Sequence, residues 1–72
     1  MGDKKKFEKG DKVRWKSHGS TVHGTVEREI TSDTEAAGRT VRASPDQPQY
    51  QVRSDKTGAD AVHKPQALRR VD

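Results

Sequence analysis

The 72-residue chain contains no cysteine. Disulfide staples and thiolate metal sites are therefore excluded. Only three aromatic side chains are present, Phe7, Trp15 and Tyr50. An aromatic cage for a quaternary ammonium needs three or four ring faces, so these residues do not predict one. No apolar run is long enough for a membrane span or the core of an export signal. The sequence thus predicts an intracellular, most simply cytoplasmic, protein with no membrane partner. Apolar residues make up only 26% of the chain, and six of those nineteen are alanine. Neither GxGxxG nor GxxxxGK[ST] occurs, so any nucleotide site must be built from side chains.

What is present is charge. Charged residues make up 36% of the chain and the net charge is +4. Residues 1–20 carry seven Lys/Arg against three acids, residues 21–38 one against four, and residues 39–72 seven against four. Basic ends around an acidic middle form a basic face if the ends fold together, and such a face attracts phosphates, nucleic acid or acidic proteins. The core formers are seven valines, Ile30, Leu68 and the three rings. A domain of this size buries only about 60% of its unfolded surface. Backbone ordering costs roughly 1–2 kcal/mol per residue, so the fold must rest on a thin valine core and tight turns.

Residues 1–6, MGDKKK, read as a flexible basic tail, and residues 7–72 as one domain. After the turn pair Gly10-Asp11, Val13 and Trp15 alternate with Lys12, Arg14 and Lys16, the period of a half-buried strand. SHGS, 17–20, is loop chemistry. In TVHGTVEREI, 21–30, strict alternation puts Val22, Gly24, Val26, Arg28 and Ile30 on one face, with Gly24 as the expected bend or bulge. Residues 31–38 read as a loop or hairpin tip, 39–43 as a short strand with Val41 inward, and 44–48 as a loop held by two prolines. QYQVRS, 49–54, alternates again. DKTG, 55–58, is a tight turn, and 59–64 the return strand. Pro65 suits the first position of a helical turn over 65–68, and RRVD ends the chain as a short strand. Five or six short strands with turns at this spacing predict a small all-β barrel.

FEKGDKVRW resembles the opening of SH3-like, KOW and Tudor barrels. Pro48 and Tyr50, then VRSDKTG, AVHKP and the terminal LRR, resemble the small hypervirulence-associated protein Tudor-domain family. Together these motifs cover residues 7–71. The resemblance implies one SH3/Tudor-like barrel, as a stand-alone protein or a module, and says little about activity.

Arg14, Arg42, Arg53, Lys56, His63 and Lys64 are the candidate anion-binding residues. Arginine forks match phosphate oxygens and lysine adds a point charge. Trp15 and Tyr50 complete the candidate set as rings that could stack on a base. They share faces with Val13 and Val52, which leaves core and surface roles both open. Two phosphate-bearing ligands fit this pattern, nucleic acid and a phosphorylated dinucleotide such as NADP(H); no cofactor is required. The rival reading is a protein-interaction module or self-associating homodimer. His18, His23 and His63 lack the spacing of a metal set. Ser54, Asp55 and His63 suggest a triad only by proximity in sequence, since a nucleophile needs an oriented base and a sheltered cleft. The sequence therefore predicts a non-enzymatic binding module.

Overall fold

The alternation of Val13 and Trp15 with charged neighbours produces β1, Lys12–Ser17, as expected. In the computed structural model, which describes residues 7–71, β1 turns back into β2, Ser20–Ile30. The predicted basic tail, residues 1–6, lies outside the described residues. The β1–β2 connection is a two-residue turn with both φ angles positive, His18 at 49° and Gly19 at 80°. That backbone matches the right-handed twist of a hairpin. The remaining strands are β3 (Thr34–Ala36), β4 (Arg39–Val41), β5 (Gln49–Ser54), β6 (Asp60–His63) and β7 (Arg69–Arg70). A 3₁₀ turn, Pro65–Ala67, precedes β7 as predicted.

The all-β architecture and the helical turn match expectation. The strand count is seven rather than five or six, and closure differs. An antiparallel sheet runs in the order β6-β5-β2-β1-β7, with β3-β4 as a separate hairpin. The larger sheet is open at β6 and β7. Among the described residues no helix is long and apolar enough to cross a membrane.

The expected irregularity of β2 lies elsewhere than at Gly24. Its register against β5 slips between Val26 and Arg28, so Glu27 is the extra residue of a bulge. The slip pairs Arg28 with Gln51, whose Oε1 accepts a 2.8 Å hydrogen bond from Arg28 Nε. Arg28 is therefore exposed, against the strict alternation that put it on the apolar face. Gly24 has a different task. A side chain there would collide with the Arg53 carbonyl and the Trp15 ring, so Gly24 is what lets the indole approach the sheet this closely.

The core has two parts. Phe7, Val13, Trp15, Val26, Tyr50, Val52 and Leu68 form the larger one. Ile30, Ala36, Val41 and Val62 form the other, beneath the β3–β4 hairpin. Successive side chains of β6 divide between them, Ala61 packing on the first and Val62 in the second, because neighbouring strand residues face opposite ways. Each fully buried valine or leucine contributes roughly 1.5–3 kcal/mol of transfer free energy. The sequence reading of 31–38 as a loop or hairpin tip and of 39–43 as a short strand with Val41 inward falls on this hairpin; what it leaves out is β3, and both strands are only three residues long. Its turn also places Ala37, rather than the usual Asn or Gly, at a left-handed φ of 52°.

Candidate functional site

The basic side chains fall into two groups, according to whether a carboxylate is within reach. On one part of the sheet the charges are neutralised. Lys12 Nζ lies 3.3 Å from Asp55 Oδ2 and donates a 2.9 Å hydrogen bond to Thr25 Oγ1. Arg53 Nε lies 3.2 Å from Glu27 Oε2 and 3.2 Å from Asp60 Oδ1. The Arg53 hydrogen bond is the main reason the Asp60 carboxyl is held below the usual carboxylate range; Gln51 Nε2, donating at 3.0 Å, adds to it. Arg70 pairs with Asp11 at 2.9 Å and lies over the Phe7 ring at 5.2 Å. Exposed pairs of this kind contribute only about 0–1 kcal/mol to stability, but they leave little net field to attract an anion.

Arg14, Lys16, Arg42, Lys64 and Arg69 differ. All five are exposed, and among the described residues none is in an ion pair with a carboxylate; the same holds for Lys9, Arg28, Arg39 and Lys56, and what sets the five apart is the clefts they line. They line two clefts on either side of the Pro65–Ala67 turn. One cleft, of about 560 Å³, is walled by Arg14, Lys16 and Arg69, with Thr21, Gln66 and Trp15. The other, of about 600 Å³, is walled by Arg42 and Lys64 with Asp46, Gln47, Gln49 and Gln66. Gln66 lines both, so the two clefts adjoin at this residue. The turn is fixed by Ala67 N–H donating to Lys64 O at 2.9 Å and Leu68 N–H donating to Pro65 O at 3.1 Å. Leu68, 0% exposed, anchors it in the core.

Strand pairing concentrates the charge of the first cleft. Arg14 of β1 stands opposite Arg69 of β7 and, on its other side, opposite His23 of β2. Like charges facing each other across a ladder are destabilising. Departures from local consistency of this kind are expected at functional sites.

The family model for the hypervirulence-associated proteins Tudor domain matches residues 10–68. The chain belongs to this family. No curated protein and no solved structure matches it. Membership agrees with the all-β fold and with the motifs GDKVRW, RSDKTG and AVHKP, and it describes a small binding module.

This Tudor domain offers no open ring face. Phe7, Trp15 and Tyr50 are 3%, 6% and 0% exposed. Phe7 and Tyr50 pack edge to face, 5.4 Å between centroids. The Tyr50 hydroxyl accepts from Phe7 N–H at 3.3 Å and donates to Glu29 Oε2 at 3.2 Å. Trp15 and Tyr50, both candidates for stacking on a ligand, are thus core residues, and of the two only Trp15 also lines one of these clefts. His63 packs against Trp15, with ring centroids 5.2 Å apart. Its Nε2 is buried and has no hydrogen-bond partner among the described residues. Burial, with the nearby Arg39 charge adding to it, holds the imidazole below its ordinary pKa.

Of the predicted site residues, Arg42 and Lys64 come together in one cleft and Arg14 and Trp15 in the other. Arg53 lines neither and is engaged with Glu27 and Asp60. Lys56 sits in the β5–β6 turn, where its N–H and that of Thr57 each donate to Ser54 Oγ at 3.3 Å. With Ser54 committed to that turn and Asp55 to Lys12 and Thr25, the two are not arranged as a triad with His63. Lys16, Arg69 and Gln66 line the clefts without being among the predicted site residues. The alternation of β1 is a local signal for Lys16. Arg69 needs the pairing of β1 with β7, which no local pattern shows.

Proposed function

We propose that this Tudor domain is a non-enzymatic module that binds a phosphate-bearing ligand in the clefts flanking Pro65–Ala67. The observation that carries the reading is the Arg14–Arg69 pair, two cations held opposite each other with no carboxylate beside them among the described residues. A phosphate there relieves the repulsion, and arginine forks match its oxygens. Between the two ligand classes open at the sequence level, a small phosphorylated compound such as NADP(H) is favoured over single-stranded nucleic acid. The clefts have the volume of small-molecule sites, and the burial of all three rings takes away the stacking partner that either ligand class would have used. A cytoplasmic setting accords with such a ligand.

Self-association through the open sheet is the weaker reading. Edge β7 is two residues long, and edge β6 begins with exposed Asp60. Short, charged edges discourage pairing.

Titration calorimetry with NADPH, NADH, a short oligonucleotide and a methyl-lysine peptide tests the proposal. It expects saturable NADPH binding that exceeds NADH binding. Oligonucleotide binding should be weaker and fall steeply with salt through counterion release. If no phosphate-bearing probe binds saturably, or if the methyl-lysine peptide binds best, the proposal fails.

A further inference from the structure

We infer that the two clefts divide one ligand between them: Arg14, Lys16 and Arg69 hold a terminal phosphomonoester, and the Asp46 cleft holds the hydroxyl-bearing sugar attached to it. This rests on the phosphate-binding reading above and assigns each half of the ligand to named residues.

The clefts differ in chemistry. The first has three cations and no carboxylate. A phosphomonoester carries about −1.5 to −2 charges at neutral pH and three acceptor oxygens, so this wall suits the most highly charged group of a ligand. Thr21 adds a hydroxyl on the same wall. The second cleft mixes Arg42 and Lys64 with the Asp46 carboxylate and the amides of Gln47, Gln49 and Gln66. Asp46 repels a dianion but accepts hydrogen bonds from sugar hydroxyls, while the glutamine amides both donate and accept. Such a wall reads a neutral, polyhydroxylated group.

The second wall is also pre-set. Gln49, 9% exposed, donates from Nε2 to Arg42 O at 2.7 Å. The loop bearing Asp46 is clasped by Ser44 N–H to Gln47 O at 3.2 Å and Gln47 N–H to Ser44 O at 3.0 Å. Asp33 Oδ1 accepts from Ala43 N–H at 3.0 Å and ties the start of that loop to the β2–β3 connection. A site held by its own hydrogen bonds loses less freedom when a ligand arrives. Gln66, shared by both clefts, sits where phosphate and sugar would join.

The test follows inorganic phosphate, ribose and ribose 5-phosphate by amide NMR shifts of the whole chain and of three variants, Arg69→Gln, Arg42→Gln and Asp46→Asn. All three positions are exposed, so the variants should keep the parent spectrum elsewhere. Ribose 5-phosphate should bind more tightly than inorganic phosphate. Arg69→Gln should weaken both by about tenfold, as expected for losing a charge-assisted hydrogen bond. Asp46→Asn should weaken ribose 5-phosphate while leaving inorganic phosphate within about twofold, since a single hydroxyl contact carries the difference. The division of labour is overturned if Asp46→Asn strengthens inorganic phosphate binding by clearly more than about twofold, if Arg42→Gln rather than Arg69→Gln weakens it, or if ribose 5-phosphate binds no better than inorganic phosphate. If neither phosphate compound binds the parent, the phosphate-binding reading falls and takes this inference with it.

Discussion

Gly24→Ala is the sharpest perturbation of the fold. Gly10, Gly19, Gly38 and Gly58 all have positive φ, and a Cβ on any of them would meet nothing within 4 Å. Gly24 is the reverse case. No left-handed backbone requires it, but an added Cβ would strike the Arg53 carbonyl and come within 2.5 Å of Trp15 Cη2. The indole end could shift, although it is packed in the core. The carbonyl belongs to the neighbouring strand, where Thr25 pairs with Arg53, and it cannot retreat without opening the ladder. Overpacking typically costs about 1–3 kcal/mol, and a backbone clash puts this variant at the upper end, about 3 kcal/mol. A single core in a domain this small rarely supplies more than about 3–5 kcal/mol, so most of the stability goes. At about 4–8 °C per kcal/mol, the melting temperature should fall by about 12–24 °C, or the variant should not fold. Thermal unfolding followed by circular dichroism measures this. A variant melting within about 3 °C of the parent would refute the close packing of Trp15 over Gly24.

Tyr50→Phe removes the hydroxyl between Phe7 N–H and Glu29 and should cost about 1–2 kcal/mol in urea unfolding, because a buried donor loses its partner. Burial, more than the Glu29 charge, raises the Tyr50 pKa above 10.0, so the parent should lose stability as pH rises above 10.0 and Tyr50→Phe should lose that alkaline limb. His63 behaves in the opposite sense. Its folded pKa lies below 6.5, so the unfolded chain takes up the proton first. Stability present above pH 6.5 should fall as pH drops through the folded value, and His63→Gln should flatten that limb in urea melts at stepped pH. Ala37→Asn should raise stability by about 0.5–1 kcal/mol, because Asn tolerates the left-handed turn position better than Ala does; no rise in the urea midpoint would count against that turn.

Much of the fold is legible in the sequence because it is local. Val13/Trp15 and Tyr50/Val52 alternate with polar neighbours, Pro65 starts the short turn, and Gly58 closes the β5–β6 connection. Two features are hidden. The bulge at Glu27 leaves no mark in composition, and Gly24 attracts the expectation of a bulge although its role is to accept a ring from β1. In the β3–β4 hairpin Val41 is legible as an inward residue, but β3 is obscured by a polar, alanine-containing stretch whose inward residue, Ala36, only makes sense against Ile30, Val41 and Val62. The site is half legible for the same reason. Arg14, Arg42 and Lys64 can be picked out as outward cations. That Arg53 is neutralised by Glu27 and Asp60, and that Arg14 faces Arg69, depends on strands brought together from distant parts of the chain.

An amide-resolved NMR titration of the parent chain with NADPH at low salt tests the central claim most directly. The account predicts saturable shifts centred on Arg14, Lys16, Gln66 and Arg69, extending to Arg42 and Lys64, with Thr25, Arg53 and Asp60 unmoved. Shifts centred instead on Thr25, Arg53 and Asp60, or none at millimolar ligand, would contradict it.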